Sequence, residues 1–150
     1  MLDIVINPNP ILRQKSQLVA DVASEEIRGL IPKMVETMMK KDGVGLAAPQ
    51  IGQNIRLIVI NYKDKPLIII NPEITSRSIL KEWGEEGCLS VPDKVGEVKR
   101  HKKIKVSFID PANQKQEIVA QGLLARIFLH EIDHLDGVLF IDKARKIKKL

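Results

Sequence analysis

The segment HEIDH, residues 130–134, constrains this chain more than any other feature of its sequence. It continues an apolar run, Leu123–Leu129, whose spacing predicts an α-helix. Residues four apart share one face of a helix, so His130 and His134 can grip one metal ion. Glu131 can take a proton from a water on that metal, as in many metal hydrolases. The same pattern also arises by chance in surface helices, so the source of a third ligand is decisive.

The third ligand is not found downstream of this motif. One group of metalloproteases extends it as HExxHxxGxxH, and this chain follows that pattern through Gly137 but has Phe140, which cannot bind a metal, at the last position. Thermolysin-like enzymes use a downstream glutamate instead, and none follows Glu131. Asp136 and Asp142, the only carboxylate side chains after the motif, lie too close to it along the chain. The ligand is therefore expected upstream.

Cys88 is the natural upstream candidate. It is the only cysteine, so no intrachain disulfide can form. A lone cysteine is more often a small buried hydrophobe, and that interpretation stays open for Cys88 taken by itself. A set of two histidines and one cysteine leaves a fourth metal position free for water, which is the layout of a catalytic site rather than a closed structural one.

A third segment, GVGLAAPQ at residues 43–50, combines two glycines with two adjacent alanines. Such small side chains leave the backbone uncovered, so an extended substrate can approach it and pair with its amides. The side-chain amide of Gln50 can donate a hydrogen bond to a developing oxyanion. Taken alone, the segment also fits a tight connection between a helix and a strand.

In this order, GVGLAAPQ, EGCLS and HEIDH resemble the three signature motifs of the peptide deformylases. The resemblance extends to Pro8–Arg13 and Gly137–Asp142, and it covers roughly residues 4 to 142. Enzymes of this family remove the formyl group from the N-terminal formyl-methionine of newly made bacterial and organellar proteins. The resemblance implies a metal-dependent hydrolase that acts on formyl-methionine nascent peptides and releases formate.

The resemblance also implies a cofactor and a general base. Cys88, His130 and His134 would bind one divalent metal ion, usually Fe²⁺ in this family, with Zn²⁺, Ni²⁺ or Co²⁺ as substitutes. Glu131 would act first as the base and then as the acid that protonates the departing amine. The chemistry agrees with this assignment, because a formamide is a poor electrophile and its amine leaves only once it is protonated.

Roles for the other two motifs follow from the same resemblance. Gln50 and the backbone amide of Leu89 would stabilise the tetrahedral oxyanion. Gly45 would pair with the substrate backbone, while Val44 and Ile127 would help to line the methionine pocket.

Three features depart from the family pattern. Leu129 stands where many members have glutamine, and residues 93–96 lack the arginine that some relatives use to hold the substrate backbone. Lys94 is the nearest substitute, although lysine lacks arginine's planar fork. After the last matching segment only residues 143–150 remain, whereas bacterial relatives often carry a longer C-terminal helix linked to ribosome docking.

The apolar pattern predicts an α+β domain in which small antiparallel or mixed sheets surround the central HExxH helix. With 150 residues, 44% of them hydrophobic, the chain suffices for one domain over residues 1–150 and is too short for two. Ser24 is expected to cap an N-terminal helix that ends near Asp42, with a bend at Pro32. The predicted strands are residues 56–61, 66–71, 104–109 and 116–120.

Composition limits the binding partners and the cellular compartment that can be expected for this chain. The net charge is +5, and the basic run Lys99–Lys103 and residues 143–150 supply much of the excess. One interpretation is a solvated strand edge and a frayed tail, and the other is attraction to the ribosome through RNA phosphates. Aromatic residues make up 3% of the chain, which argues against sequence-specific nucleic-acid binding. We expect a monomer in a bacterial cytoplasm, or one encoded by a phage or found in an organelle, with no signal peptide or membrane span.

Charged residues beside the ligand candidates have two interpretations. Glu86 and Asp133 can pair with Arg100 or Arg126 to orient the ligands, or all four can be ordinary surface charge. Two other functions also compete with deformylation. One is a peptidase that cleaves internal amides, and the other is a non-enzymatic ribosome-binding module with a degenerate metal site.

Overall fold

A computed structural model describes residues 1–150 and contains two α-helices and eight β-strands. The α+β class predicted from the sequence is confirmed. Short 3-10 turns occupy Pro10–Arg13, Ala48–Ile51 and Phe140–Asp142. The longer elements are α1 Glu25–Lys40, β1 Gly45–Ala47, β2 Leu57–Tyr62, β3 Lys65–Arg77, β4 Lys81–Cys88, β5 Val91–His101, β6 Lys103–Ile109, β7 Lys115–Gln121, α2 Leu123–Leu135 and β8 Arg145–Lys149.

Helix α1 begins where the sequence predicts. The Ser24 side chain accepts a hydrogen bond from the Ile27 amide, which satisfies one of the free N–H groups of the first turn. Pro32 lies within this helix without ending it. Both Pro32 and Arg28 are exposed, so the Arg28 carbonyl that loses its helical partner faces water rather than the core.

A five-stranded antiparallel sheet in the order β1-β2-β3-β6-β7 forms the apolar half of the molecule. Residues 57–60 of β2 are fully buried because both faces of the strand are covered. In β6, Ile104, Val106 and Phe108 alternate with more exposed residues, as the period of two predicts. All four strands expected from the sequence lie in this sheet, and β1 is an addition to them.

A second antiparallel sheet, in the order β4-β5-β8, was not predicted. Its strands are rich in glycine and charged residues and lack a simple apolar alternation. The expectation of a frayed tail is wrong, because β8 pairs with β5 and Arg145 Nε lies 3.2 Å from Glu97 Oε1. Backbone hydrogen bonds to a neighbouring strand therefore order a segment whose side chains are all exposed.

Helix α2 lies between the two sheets and unites the core. Phe128 and Leu135 on its apolar face are fully buried in a cluster with Ile58 and Ile60 of the five-stranded sheet. Leu124 is partly buried against the same cluster, so it belongs to the same packing face of the helix. A second cluster packs Met34 and Met38 of α1 against the opposite face of β2. Neither helix is long and apolar enough to cross a membrane.

Candidate metal centre and active site

The HEIDH segment lies in the C-terminal half of α2, as its spacing predicts. His130 and His134 sit one turn apart with ring centroids 5.1 Å from each other. Both are nearly withdrawn from solvent, with His130 9% and His134 1% exposed. The opposite face of the helix is buried against the five-stranded sheet, so packing in the core aims the two imidazoles at the three-stranded sheet.

Cys88 ends β4 and faces these histidines. Its Sγ lies 3.3 Å from His134 Nε2, and the candidate ligand atoms of Cys88, His130 and His134 all lie within 4.8 Å of one another. The β4–β5 register shifts between Gly87 and Cys88, at the point where the strand turns toward the helix. The structure thus brings together the three residues that the sequence proposed as ligands.

The donor set fits a divalent metal ion. His130 Nδ1 lies 2.8 Å from Glu86 Oε1, so this carboxylate fixes the ring and leaves Nε2 for a ligand. Burial lowers the pKa of His130, but hydrogen bonds to Cys88 and Glu86 outweigh it and raise the pKa to about 10. Nitrogen and sulfur donors in this number suit zinc, iron and their neighbours.

Glu86 is the centre of a buried charge network behind the ligands. Arg100 Nε and one guanidinium nitrogen donate to Glu86 at 3.0 and 2.9 Å, and Arg126 donates at 2.7 Å. Arg100 also pairs with Asp133. Burial opposes ionisation of Glu86, yet hydrogen bonds from His130 and Arg100 prevail and lower its pKa to about 2. The pairing considered from the sequence is confirmed, and ordinary surface charge is excluded because Glu86, Arg100 and Arg126 are buried.

Glu131 projects into the site from α2 and is 4% exposed. Its Oε1 is buried without a hydrogen-bond partner in the protein. Burial raises the pKa of this carboxyl to about 7. A Cβ at Gly45 would lie 2.7 Å from Glu131 Oε2, so only glycine at this position leaves room for the carboxylate. The absence of a side chain at Gly45 therefore serves Glu131, a role that the sequence analysis did not foresee.

Gln50 closes another side of the site. Its Oε1 accepts a hydrogen bond from the Ala47 amide at 3.0 Å, which points Nε2 at Ser90 Oγ and Cys88 Sγ, 3.2 and 3.5 Å away. Ser90 is fully buried, and its amide also donates to the Cys88 sulfur. The Leu89 amide makes no hydrogen bond within the protein and remains available as a donor.

A cleft of about 410 Å³ opens onto these groups. Val44, Gly45 and Ile127, which the sequence analysis proposed as substrate contacts, line it. Leu123, which the sequence analysis did not single out, is 70% exposed at the rim. Leu123 is the first residue of α2, the helix that carries HEIDH, and this position was the available indication that it lies near the site. Lys94 does not line the cleft and is paired with the opposite strand at Lys149, so it does not replace the missing arginine here.

The other charged candidates lie outside the centre. Asp136 pairs with Arg56, and Asp142 pairs with Arg13. His101 is hydrogen-bonded to the Ser78 carbonyl rather than joined to the other histidines. The remaining arrangement combines three clustered side chains that could hold a metal ion, an unpartnered carboxylate and amide donors around an open cleft. Such an arrangement can polarise an amide carbonyl, activate water and deliver a proton to the leaving amine.

Comparison with known proteins agrees with this chemistry. The profile of the family described as polypeptide deformylase matches residues 1–150. A peptide deformylase of Thermoanaerobacter pseudethanolicus is 50% identical over 134 residues, covering 89% of this chain and 83% of the relative. One of Rhizobium meliloti is 44% identical, covering 97% and 86%.

Solved structures give the same result. The peptide deformylase of Thermotoga maritima superposes with a TM-score of 0.93 at 41% identity, covering 97% of this chain and 98% of that one. The enzyme of Synechococcus elongatus in complex with actinonin gives 0.92 at 43% identity, covering 97% and 79%. The chain therefore belongs to the peptide deformylase family, whose activity is removal of the N-terminal formyl group from nascent polypeptides.

Proposed function

We propose that Cys88, His130 and His134 hold one divalent metal ion, with Fe²⁺ as the native ion and Zn²⁺, Ni²⁺ or Co²⁺ as substitutes. The mutual approach of their donor atoms supports this assignment, as does the carboxylate behind His130. When bound, the ion supplies Lewis acidity toward the formyl oxygen and makes a water acidic near neutral pH. Three protein ligands leave room for both water and substrate.

Glu131 carries the proton through the reaction. Its unpartnered Oε1 takes a proton from the attacking water, and the water oxygen bonds to the formyl carbon. The carboxylic acid then gives that proton to the amide nitrogen as the C–N bond breaks. The products are formate and a peptide with a free N-terminal amine. Burial of the carboxylate keeps bulk water from competing for this proton.

Gln50 and Leu89 stabilise the oxyanion that forms on the formyl oxygen. The Ala47 amide holds the Gln50 side chain with its NH₂ group toward the site, where the oxyanion would replace the long contact of Nε2 to Cys88 Sγ. The free Leu89 amide is the second donor. Each such donor contributes on the order of 2.7–4 kcal/mol of transition-state stabilisation in comparable sites.

The substrate binds as an added strand along β1. This strand is the first of the five-stranded sheet and pairs only with β2. On its other edge the Ala47 amide donates to Gln50 Oε1, while Gly45 has no strand partner. Gly45 offers its backbone there, while Val44 and Ile127 line the cleft that receives the methionine side chain. Strand addition gives affinity through the backbone, and the pocket gives specificity.

One observation carries the proposed assignment of roles: an unpartnered, buried Glu131 carboxylate stands beside three clustered metal donors. The test is formate release from a formyl-Met-Ala-Ser peptide by protein prepared without oxygen and loaded with iron or nickel. We expect formate from the parent, a loss of about 10²- to 10⁴-fold in kcat for Glu131→Gln with metal retained, and loss of metal for Cys88→Ala.

Two controls make this experiment decisive. An unformylated peptide of the same sequence distinguishes deformylation from cleavage of internal amides, the activity of a peptidase. A Glu131→Gln variant as active as the parent refutes the general-base role, and a metal-loaded parent that releases no formate refutes the proposed roles altogether.

We also propose a single catalytic domain over residues 1–150 that acts as a monomer in the cytoplasm. The apolar clusters shared by α1, α2 and the five-stranded sheet support one domain. A lone cysteine that must remain a thiolate suits a reducing compartment.

For a partner, we propose the ribosome, reached through RNA phosphates. A second cleft, of about 380 Å³, is lined by six lysines and arginines and three acidic residues. Arg77, Lys81 and Lys99 in its lining form no salt bridge, so they retain charge for an anion. The lining contains no phenylalanine, tyrosine or tryptophan for stacking bases, which favours backbone contacts.

The test replaces these three residues by glutamine and measures binding of a labelled single-stranded RNA at several salt concentrations. We expect the salt dependence, d log K/d log[salt], to decrease in magnitude by about 2. Glutamine at exposed Lys33, Lys41 and Lys115 is the control. Equal loss in both variants refutes a localised site. Charge substitution is preferable to deleting residues 143–150, because deletion would remove β8 from its sheet.

A further inference from the structure

Arg126 lies one helical turn before His130 on α2, and its guanidinium reaches across to the three-stranded sheet. Although Arg126 lines the active-site cleft, its guanidinium NH groups donate to groups of β4 and β5. One terminal nitrogen donates to Glu86 Oε2 at 2.7 Å and to the Val98 carbonyl at 2.8 Å, and the other donates to the Glu82 carbonyl at 2.9 Å. Both terminal nitrogens of this guanidinium are thus hydrogen-bonded within the protein.

Gly84 makes this approach possible. A Cβ at this position would lie 2.7 Å from Arg126 Cζ and 2.8 Å from Nε, so the guanidinium rests directly on the backbone of β4. The terminal nitrogen that binds Glu86 is also 3.5 Å from the Gly84 carbonyl. The close approach requires a residue without a side chain at position 84, whatever its backbone torsion angles.

These contacts join the two elements that carry the metal ligands. Cys88 follows Gly84 by four residues along β4, and His130 follows Arg126 by four residues along α2. Few buried apolar side chains hold this sheet against the helix, so directional hydrogen bonds set the spacing between thiol and imidazole. An arginine fork bound to several fixed acceptors has little freedom to shift.

We propose that Arg126 is a positioning residue for the metal centre, which clamps β4 onto α2 through Glu86 and three backbone carbonyls, and that Gly84 is the seat of this clamp. The inference rests on the proposed metal site. It predicts that the clamp sets the affinity for the ion and the ligand geometry. The competing role for an arginine in this cleft is to bind the substrate backbone, which would change KM and leave the metal untouched.

The experiment loads Arg126→Met, Arg126→Lys, Gly84→Ala and the double variant Gly84→Ala/Arg126→Met with Co²⁺. Affinity is measured by competition with a chelator, and ligand geometry by the thiolate-to-cobalt and d–d absorption bands. We expect each single variant to lose affinity by about 10- to 100-fold and to shift the bands. In the double variant, alanine at position 84 should add less than about threefold, because the group it would clash with is gone.

Arg145→Met is the matched control, since it removes an arginine from the same sheet without touching Glu86. It should lower stability slightly and leave the cobalt spectrum unchanged. If Arg126→Met does not fold, Gly84→Ala and Arg126→Lys decide by the same readouts. Unchanged affinity and bands in folded single variants, or additive effects in the double variant, overturn the clamp. A parent that binds no Co²⁺ through its thiolate overturns the proposed metal site instead.

Discussion

The two sheets of this protein are held in place by different forces. The five-stranded sheet buries twelve apolar side chains on its two faces, against α2 on one and α1 on the other. The three-stranded sheet buries only Val91 and Val98 among its large apolar residues. Its attachment to α2 relies instead on Glu86, Arg100 and Arg126. The metal-ligand candidates come from both sides of this boundary.

This difference matches the demands on each half. Apolar burial is strong but non-directional, so it keeps α2 on the sheet without fixing atoms to a few tenths of an ångström. Charged hydrogen bonds depend on distance and angle, so they fix the position of the strand that carries Cys88. The molecule uses apolar burial where it needs stability and polar contacts where it needs geometry.

The largest expected loss of stability comes from disrupting the apolar packing of α2 on the five-stranded sheet at Phe128. This side chain is fully buried between α2 and the five-stranded sheet. Phe128→Ala should lower the free energy of unfolding by about 3–5 kcal/mol, measured by urea denaturation, because it leaves a cavity that the sheet cannot fill. Leu123→Ala, on the same helix but exposed, is the control and should cost within about 0.5 kcal/mol. Equal costs would contradict the assigned packing.

Breaking the charge network of the three-stranded sheet should lower the free energy of unfolding less than Phe128→Ala does, but it should reduce metal retention more. Glu86→Gln removes the charge that Arg100 and Arg126 share, and Asp133 compensates only Arg100. We expect a loss of about 3 kcal/mol in unfolding free energy, together with reduced metal retention on dialysis. Glu97→Gln breaks the solvent-accessible ion pairs with Arg145 and Lys146 in the same sheet and should cost less than about 1 kcal/mol. Full metal retention in Glu86→Gln would assign the network to stability alone.

The smallest change in stability is expected at the exposed ion pair between Arg13 and Asp142, which serves as a reference for the buried pairs of Glu86. A hydrogen bond from Arg13 lowers the pKa of Asp142 below its ordinary value. Its stabilisation is therefore present above the unfolded pKa of about 4 and lost as the pH falls through the folded value. Parent and Asp142→Asn should differ by about 0.5 kcal/mol at pH 7 and by less at pH 3. A difference that stays constant across this range would exclude ionisation as its source.

The apolar half could be predicted from sequence because its signals are local. Ile104, Val106 and Phe108 alternate along one strand, and His130 and His134 repeat at helical spacing. Cys88 could be identified as the candidate third ligand because it is the only cysteine and no suitable ligand follows the helix. These residues reveal their roles through their spacing or through their chemical type.

The polar half could be predicted only in part, because its order depends on distant partners. Glu86 is buried because Arg100 and Arg126, 14 and 40 residues away, surround it. The sequence suggested this pairing but not the strands that deliver it, since their charged and glycine residues hide the period of two. The need for glycine at positions 45 and 84 becomes visible only once Glu131 and Arg126 are in place.

The outer edge of β1 has a consequence for timing. An edge strand accepts only a partner that is itself extended and has its own backbone groups unpaired. A peptide whose first residues have already joined a helix or a sheet cannot present such an edge. If substrate adds to β1 as proposed, the enzyme selects peptides whose N-terminal segment is still unfolded, as well as peptides that carry the formyl group. Deformylation then competes kinetically with folding of the N-terminal segment, and proteins whose first strand folds early would be processed least completely.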